Sequence, residues 1–389
     1  MSVLNRLVIA ISIVTLFMSS IAGARDPRPD LVLPDDGRPI VQIALLLDTS
    51  NSMDGLINQA RSQLWKIVNE FSNCRRDGQI PRLQVALFEY GNDSLPVTEG
   101  YIRQVVPLTT DLDLLSEKLF ALKTNGGSEY CGEVISVATR VLDWSNDRRA
   151  YKAIFIAGNE PFTQGNVDYR SACASAIARG VVVNTIHCGP EDVGRQGQWT
   201  DGAKRGEGRS MNIDQDRAHV AIVAPQDEEI NRLSVELNVT YIPYGKEGEV
   251  ASRRQVAQDQ LALENAPAGA SVERAVAKSS RQYDNARWDL VDAERDGKVD
   301  LDKLDAKDLP EAMQTLAPAE RRAYVEQQGA KRAEIQAKIK ALNEDRVEYV
   351  AVKEKENTTT TGTDTLDSAI VKAVREQIAE KGFEMKKEE

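Results

Sequence analysis

In the stretch "LLLDTSNSMDG", residues 45–55, an aspartate and two serines occupy alternate positions: Asp48, Ser50 and Ser52. A hard divalent cation takes oxygen ligands, and Mg²⁺ keeps several waters while bound by one or two carboxylates. One turn bearing a carboxylate and two hydroxyls offers such an ion a half-site, and leaves a coordination position for an incoming acidic group. The plainer reading is a polar cap on the following helix, with a serine oxygen accepting backbone N–H groups. A cap needs one such residue, whereas three stand here in register. A second acid-rich stretch, "DAERDGKVDLDK", has the rhythm of a calcium loop from Asp292 through Asp296, Gly297 and Asp300. Its twelfth position, where a bidentate glutamate belongs, is Lys303, so it reads as a charged turn between helices.

Other reactive groups are sparse. The chain has two histidines, His187 and His219, too few for a histidine-rich zinc site and a thin supply of bases for a serine triad. His187 ends a strand-like run and is expected to be packed rather than to act as a ligand, and His219 likewise. No nucleophile–base pair stands at a useful spacing, and the chain is expected not to be an enzyme.

The elements that must position Asp48 follow from hydrophobic patterning. "VQIALLLD" is a continuous apolar run, as in a strand buried on both faces. "GLINQARSQLWKIVNEFSNC" has the apolar spacing of a helix. "RLQVALFEYG", "RQVVPLT", "YKAIFIAG", "VVVNTIHCG" and "VTYIPYG" read as further strands, alternating with helices over "DLDLLSEKLFALK", "GEVISVATRVLDW", "YRSACASAIARG" and "DEEINRLSVELN". Such alternation implies right-handed crossovers and a mostly parallel, doubly wound α/β sheet, here spanning residues 40–246. Residues 190–217 break the rhythm as a long Gly-rich loop, with Trp199 as a packing anchor. Ligands of such sheets bind beyond the carboxyl ends of the strands, where Asp48, Ser50 and Ser52 fall. On this topology Cys131, Cys173 and Cys188 also fall toward that edge and Cys74 toward the other. One disulfide among the first three is therefore expected.

These residues carry a resemblance. Asp48, Ser50 and Ser52 after the first strand resemble the metal-ion-dependent adhesion site of the von Willebrand factor type A family. "NGGSEYCGEVI" is similar to that family's second metal loop, "YKAIFIAGNEPF" to its fourth strand and "AIARGVVVNTIHCG" to its fifth. The resemblance implies a Rossmann-like domain that binds protein ligands through a divalent cation, Mg²⁺ first and Ca²⁺ or Mn²⁺ as alternatives, completed by an acidic side chain of the partner. It implies Ser128 as the hydroxyl of the second loop, with Thr124 and Glu129 as alternatives. In the third loop Gly158 stands where the family has an aspartate, so Glu160 is the expected ligand and Asn159 the alternative.

Beyond residue 250 the composition turns helix-forming. Residues 250–356 are expected to be helical and coiled-coil-like, with Ala333, Ile335, Ile339, Leu342, Val347 and Val350 forming a stripe on a long amphipathic helix. Residues 357–389 read as a polar link and a short helix. These helices could hairpin on each other, dock on the sheet domain, or join copies of the chain. At the other end, residues 1–24 have the form of a signal peptide, apolar from Leu7 and closing on an Ala22-x-Ala24 cleavage site, with a Pro- and Asp-rich linker over 25–39. Export to the periplasm or the medium is expected, with no stable membrane anchor after cleavage. The net charge of -11 argues against nucleic-acid binding, which needs clustered Lys and Arg.

Overall fold

The computed structural model describes residues 37–213, 222–264, 269–357 and 366–385. The expected signal peptide, most of the linker behind it and His219 lie outside them. The first strand, β1 (Ile40–Asp48), is flanked by parallel neighbours on both sides, which is why its apolar run does not alternate. In chain order the strands continue as β2 (Cys74–Arg75), β3 (Arg82–Tyr90), β4 (Ile102–Thr109), β5 (Tyr151–Gly158), β6 (Val182–Cys188), β7 (Glu207–Ile213) and β8 (Glu384–Met385). The main sheet has six strands in the order β4-β3-β1-β5-β6-β7. It is parallel except at β4, an antiparallel edge whose Pro107 donates no hydrogen bond. The doubly wound α/β expectation holds.

The helices are α1 (Asp54–Ser72), α2 (Leu112–Ala121), α3 (Cys131–Val141), α4 (Tyr169–Ala178), α5 (Glu191–Gln196), α6 (Trp199–Arg205), α7 (Asp227–Asn238), α8 (Gly245–Glu264), α9 (Ala270–Lys278), α10 (Leu290–Arg295), α11 (Glu311–Gln314), α12 (Pro318–Asn357) and α13 (Leu366–Glu380). Asp111 caps α2, its carboxylate accepting the Leu114 N–H at 2.9 Å. Side chains of β1 alternate between two cores. Val41, Ile43, Leu45 and Leu47 pack with α1, α2 and α7, and Ala44 and Leu46 with α3, α4 and α6.

Two elements differ from the sequence reading. Residues 190–213 of the expected loop are not open: they form α5, α6 and β7, the sixth strand of the main sheet, while residues 214–217 lie outside the described residues. Only Met211 and Ile213 of that polar edge strand are buried, so its pattern carries almost no strand signal. "VTYIPYG" in turn is not a strand of the sheet. Its Tyr241 and Ile242 are buried against the C-terminal helices, and it makes only an isolated bridge from Pro243 to Asp289.

The helical region docks on the sheet domain. From Arg38 onward the chain is one unit, and the core on the α1 side runs without a break into α9, α12 and α13. Composition changes near residue 250, but the core does not end there. Buried ion pairs fasten the contact. Arg274 bridges Asp113 of α2 at 2.8 Å and Asp259 of α8 at 2.6 Å, with its guanidinium over Trp65 of α1. Lys278 meets Asp259 at 2.6 Å. Arg332 of α12 donates to Asp289 at 2.7 Å and to the Thr240 carbonyl at 2.7 Å, and lies over Tyr241. Gln377 of α13 accepts from the Tyr151 hydroxyl at 2.7 Å and donates to Asn184 at 2.7 Å, tying the last long helix to β5 and β6.

The stripe expected on α12 is only partly the buried one. Ile335 and Ile339 are buried, but Ala333 and Val347 face solvent, and Arg332 and Arg346 take the inner positions instead. The "DAERDGKVDLDK" stretch behaves as a charged turn: Asp292 and Asp296 are held by Arg295, with Arg332 and Arg281 adding further bonds, and Lys303 pairs with Asp300.

The expected disulfide is absent. All four cysteines are reduced and buried. Cys188 belongs to the core on the α1 side with Cys74, while Cys131 and Cys173 lie in the core on the other side of the sheet. Each of the latter thiols has its own partner: Cys131 lies 3.8 Å from the Tyr90 hydroxyl, and Cys173 donates to the Gly202 carbonyl at 3.6 Å. Knowing which end of the sheet a cysteine occupies does not say which face it occupies.

Candidate functional site

Asp48 ends β1 between Tyr90 of β3 and the end of β5, where the chain switches from one side of β1 to the other. Its side chain is fully buried. The Ser50 N–H donates to Asp48 Oδ1 at 2.7 Å, turning the chain so that the next hydroxyls return over the carboxylate. Ser50 and Ser52 Oγ are 3.2 Å apart, and Ser52 donates to Asn159 Oδ1 of the third loop at 3.4 Å. Asp48 Oδ2 is buried with no hydrogen-bond partner. A helix cap accounts for none of this, because neither the short turn at Asn51–Met53 nor α1 has a side-chain cap.

Backbone bonds lace the second loop to the first. The Asn125 N–H donates to the Thr49 carbonyl and the Asn51 N–H to the Gly126 carbonyl, both at 2.9 Å. Asn92 pins the same loop by donating to the Lys123 carbonyl at 2.9 Å. Gly126 has φ +67°, and a Cβ there would sit 2.1 Å from the Asp93 carboxylate, so only glycine lets the loop approach.

The laced loop delivers Glu129 to the site. Its side chain is 3% exposed and lies against the Asp48 carboxyl. Both acids lie over Gly91: a Cβ there would meet Glu129 Cγ at 2.7 Å and Asp48 Oδ1 at 2.8 Å. Burial first, then the neighbouring Glu129 carboxyl, push the Asp48 carboxyl well above its usual range. Ser128 is half-buried beside it, and Thr124 is turned away to donate to Asp54 at 2.6 Å.

The third loop is held from below. Glu129 Oε2 accepts the Glu160 N–H at 3.3 Å, and Glu160 Oε2 accepts from Gln164 Nε2 at 3.2 Å. Trp199 is buried, stacks edge-on against Phe162 and donates to the Glu160 carbonyl at 2.8 Å, so it anchors this loop as well as its own. His187 packs against Trp199 and reaches the Asn159 carbonyl at 3.3 Å, with burial lowering its basicity. It is packed and hydrogen-bonded, as expected.

Asp48, Ser50, Ser52, Asn159 and Glu129 thus converge, with Glu160 at the margin by its main chain. Sequence reasoning named Glu129 only as an alternative and passed over Gly91, Tyr90 and Gln164. The glycine at position 91, directly after a buried strand, was the one available signal. Among the described residues no three His, Cys, Asp or Glu side chains gather as a ready-made cage. An ion here would rest on few carboxylates, with hydroxyls and water completing its shell. The donors fit a hard cation: every one is oxygen, and the orphaned Asp48 Oδ2 is the kind of buried acceptor such an ion satisfies.

Residues 42–201 match the family model described as von Willebrand factor type A domain. Among solved structures, BatB from Bacteroides thetaiotaomicron is 17% identical, with 45% of this chain and 90% of that one covered and a TM-score of 0.34. The SpRpn10 VWA domain is 14% identical, covering 48% and 100%, with a TM-score of 0.34. Proximal thread matrix protein 1 from the mussel byssus, described with a zinc occupied MIDAS motif, is 12% identical, covering 46% and 43%, with a TM-score of 0.34. No curated protein matches. With the strand order, the loop set at the switch point and the family match in agreement, residues 42–201 are a von Willebrand factor type A domain, an interaction-type module continued here by a docked helical region.

Proposed function

We propose that this chain captures a protein partner through a divalent cation, Mg²⁺ first among the candidates, held at Asp48, Ser50 and Ser52. The observation that carries the reading is the buried Asp48 carboxylate, whose Oδ2 has no donor, under two hydroxyls at the sheet's switch point. When bound, the ion would supply a positive centre for an acidic side chain of the partner. The protein's own part is positional: Ser50 N–H fixes the carboxylate, and Asn159 fixes Ser52. The activity is binding, with no catalytic step, and the setting is the cell envelope or the secreted space. Among the described residues no helix is long and apolar enough to cross a membrane. Self-association through the C-terminal helices is the weaker reading, because Ile335, Ile339, Val374 and Ile378 are already used within the chain.

The test is capture of partners from an envelope extract by the immobilised full chain, with Mg²⁺ or with excess chelator. Capture is expected with Mg²⁺, to be lost in chelator, and to be lost in Asp48→Ala with the fold intact by circular dichroism. Capture that persists in chelator rules the reading out.

A further inference from the structure

We propose that Glu129 is the second anionic ligand of this ion, standing in for the aspartate that position 158 lacks. The inference rests on the metal-dependent reading above and adds to it a residue and a reason.

Gly158 leaves no room for a side chain at the end of β5. A Cβ at this position would lie 2.5 Å from the Tyr90 hydroxyl and 3.2 Å from both Cβ and Oδ2 of Asp48. The Tyr90 hydroxyl is fixed, donating to the Ala157 carbonyl at 2.9 Å, and its ring is fully buried between β1 and α3. No side chain at position 158 can enter the site while Tyr90 stands there. The charge an acid at position 158 would bring is missing by construction.

Glu129 enters from the other side. Seen from Gly127, its Oε1 lies 3.6 Å from where a Cβ would be and Ser50 Cβ lies 3.5 Å from the same point, so the carboxylate sits beside the serine turn. Its Cγ and Asp48 Oδ1 crowd the same face of Gly91. Its Oε2 is oriented by the Glu160 N–H, and its own N–H donates to Gln164 Oε1 at 3.0 Å. Two buried carboxylates face each other, and among the described residues neither is in a salt bridge with a lysine or arginine. Such a pair is costly alone and is resolved by a shared cation, whose two positive charges it matches. Ser128 supplies no charge, so it cannot replace the missing acid.

The test is Mn²⁺ binding to the full chain, stripped of metal and followed by electron paramagnetic resonance, with Mg²⁺ as competitor. Glu129→Gln keeps the shape and the acceptor for the Glu160 N–H but removes the charge. It is expected to weaken Mn²⁺ binding at least about tenfold. Ser128→Ala is expected to stay within about twofold, and melting curves verify that both variants fold. Wild-type binding that survives Glu129→Gln unchanged, or a larger loss in Ser128→Ala, overturns the assignment while leaving the metal-dependent reading standing. A wild-type chain that binds no Mn²⁺ overturns both.

Discussion

Asp48 and Glu129 make the site an acid pair held by loops that leave room for little else. The glycines at 91 and 158 are required by space, since a Cβ at 91 would collide with Glu129 and Asp48 and one at 158 with the Tyr90 hydroxyl. The pair also sets a pH dependence. The Asp48 carboxyl is raised well above its ordinary 3.8 in the folded chain, by burial first and then by Glu129. The folded state therefore holds that proton more tightly than the unfolded one. Without divalent cation, this contribution to stability is complete below pH 3.8 and is lost as pH rises through the raised value. In chelator, wild type is expected to lose melting temperature relative to Asp48→Asn as pH rises above 3.8, and Mg²⁺ to restore it. A difference that stays flat with pH would contradict the buried pair. At this scale the alternation of Asp48, Ser50 and Ser52 was legible because it follows a strand. The choice of Glu129 over Ser128 was not, because neighbouring loop residues differ in direction and only the folded loop sets it.

Among the elements, β1 and its neighbours were readable because burial on both faces leaves an unmistakable apolar run. The polar edge strand β7 was not, since only two of its side chains are buried. On α12 the buried stripe passes through Arg332 and Arg346, which a search for apolar periodicity skips. Both are matched by acids far away in sequence, Asp289 and Asp227. Helix α9 carries the clearest case. Burial pushes the Asp259 carboxyl up, but Arg274 and Lys278 together outweigh it and hold it below its usual range. Arg274 is 1% exposed between Asp113 and Asp259. Arg274→Ala leaves Asp113 without its cation and Asp259 with Lys278 as its one remaining cation, and is expected to cost about 3–5 kcal/mol in denaturant unfolding. A loss below about 1 kcal/mol, the range of an exposed pair, would mean that the helix does not depend on this network.

The whole chain from Arg38 onward has one continuous core on the α1 side, so the helical region is part of the domain's stability. Helix α13 covers the feet of β5 and β6, with Val374 and Ile378 buried and Phe383 closing behind them. Burying a large apolar side chain contributes about 1.5–3 kcal/mol, so these three outweigh most single surface changes. The full chain is expected to unfold by circular dichroism in a single transition. A chain ending at residue 357 is expected to melt at clearly lower temperature, since Tyr151 and Asn184 lose Gln377 as well. An unchanged melting temperature would show that α13 rests on the sheet without supporting it. The order of strands and helices was legible from alternation, but the docking was not. It depends on single polar contacts such as Gln377 with Asn184, 193 residues apart in sequence.

The central claim, that Asp48 holds a divalent cation, is tested most directly by calorimetric titration of Mg²⁺ into the metal-stripped full chain and its Asp48→Ala variant. The wild type is expected to bind one ion saturably and the folded variant none. Equal binding heats from the two proteins, or no heat from either, would contradict it.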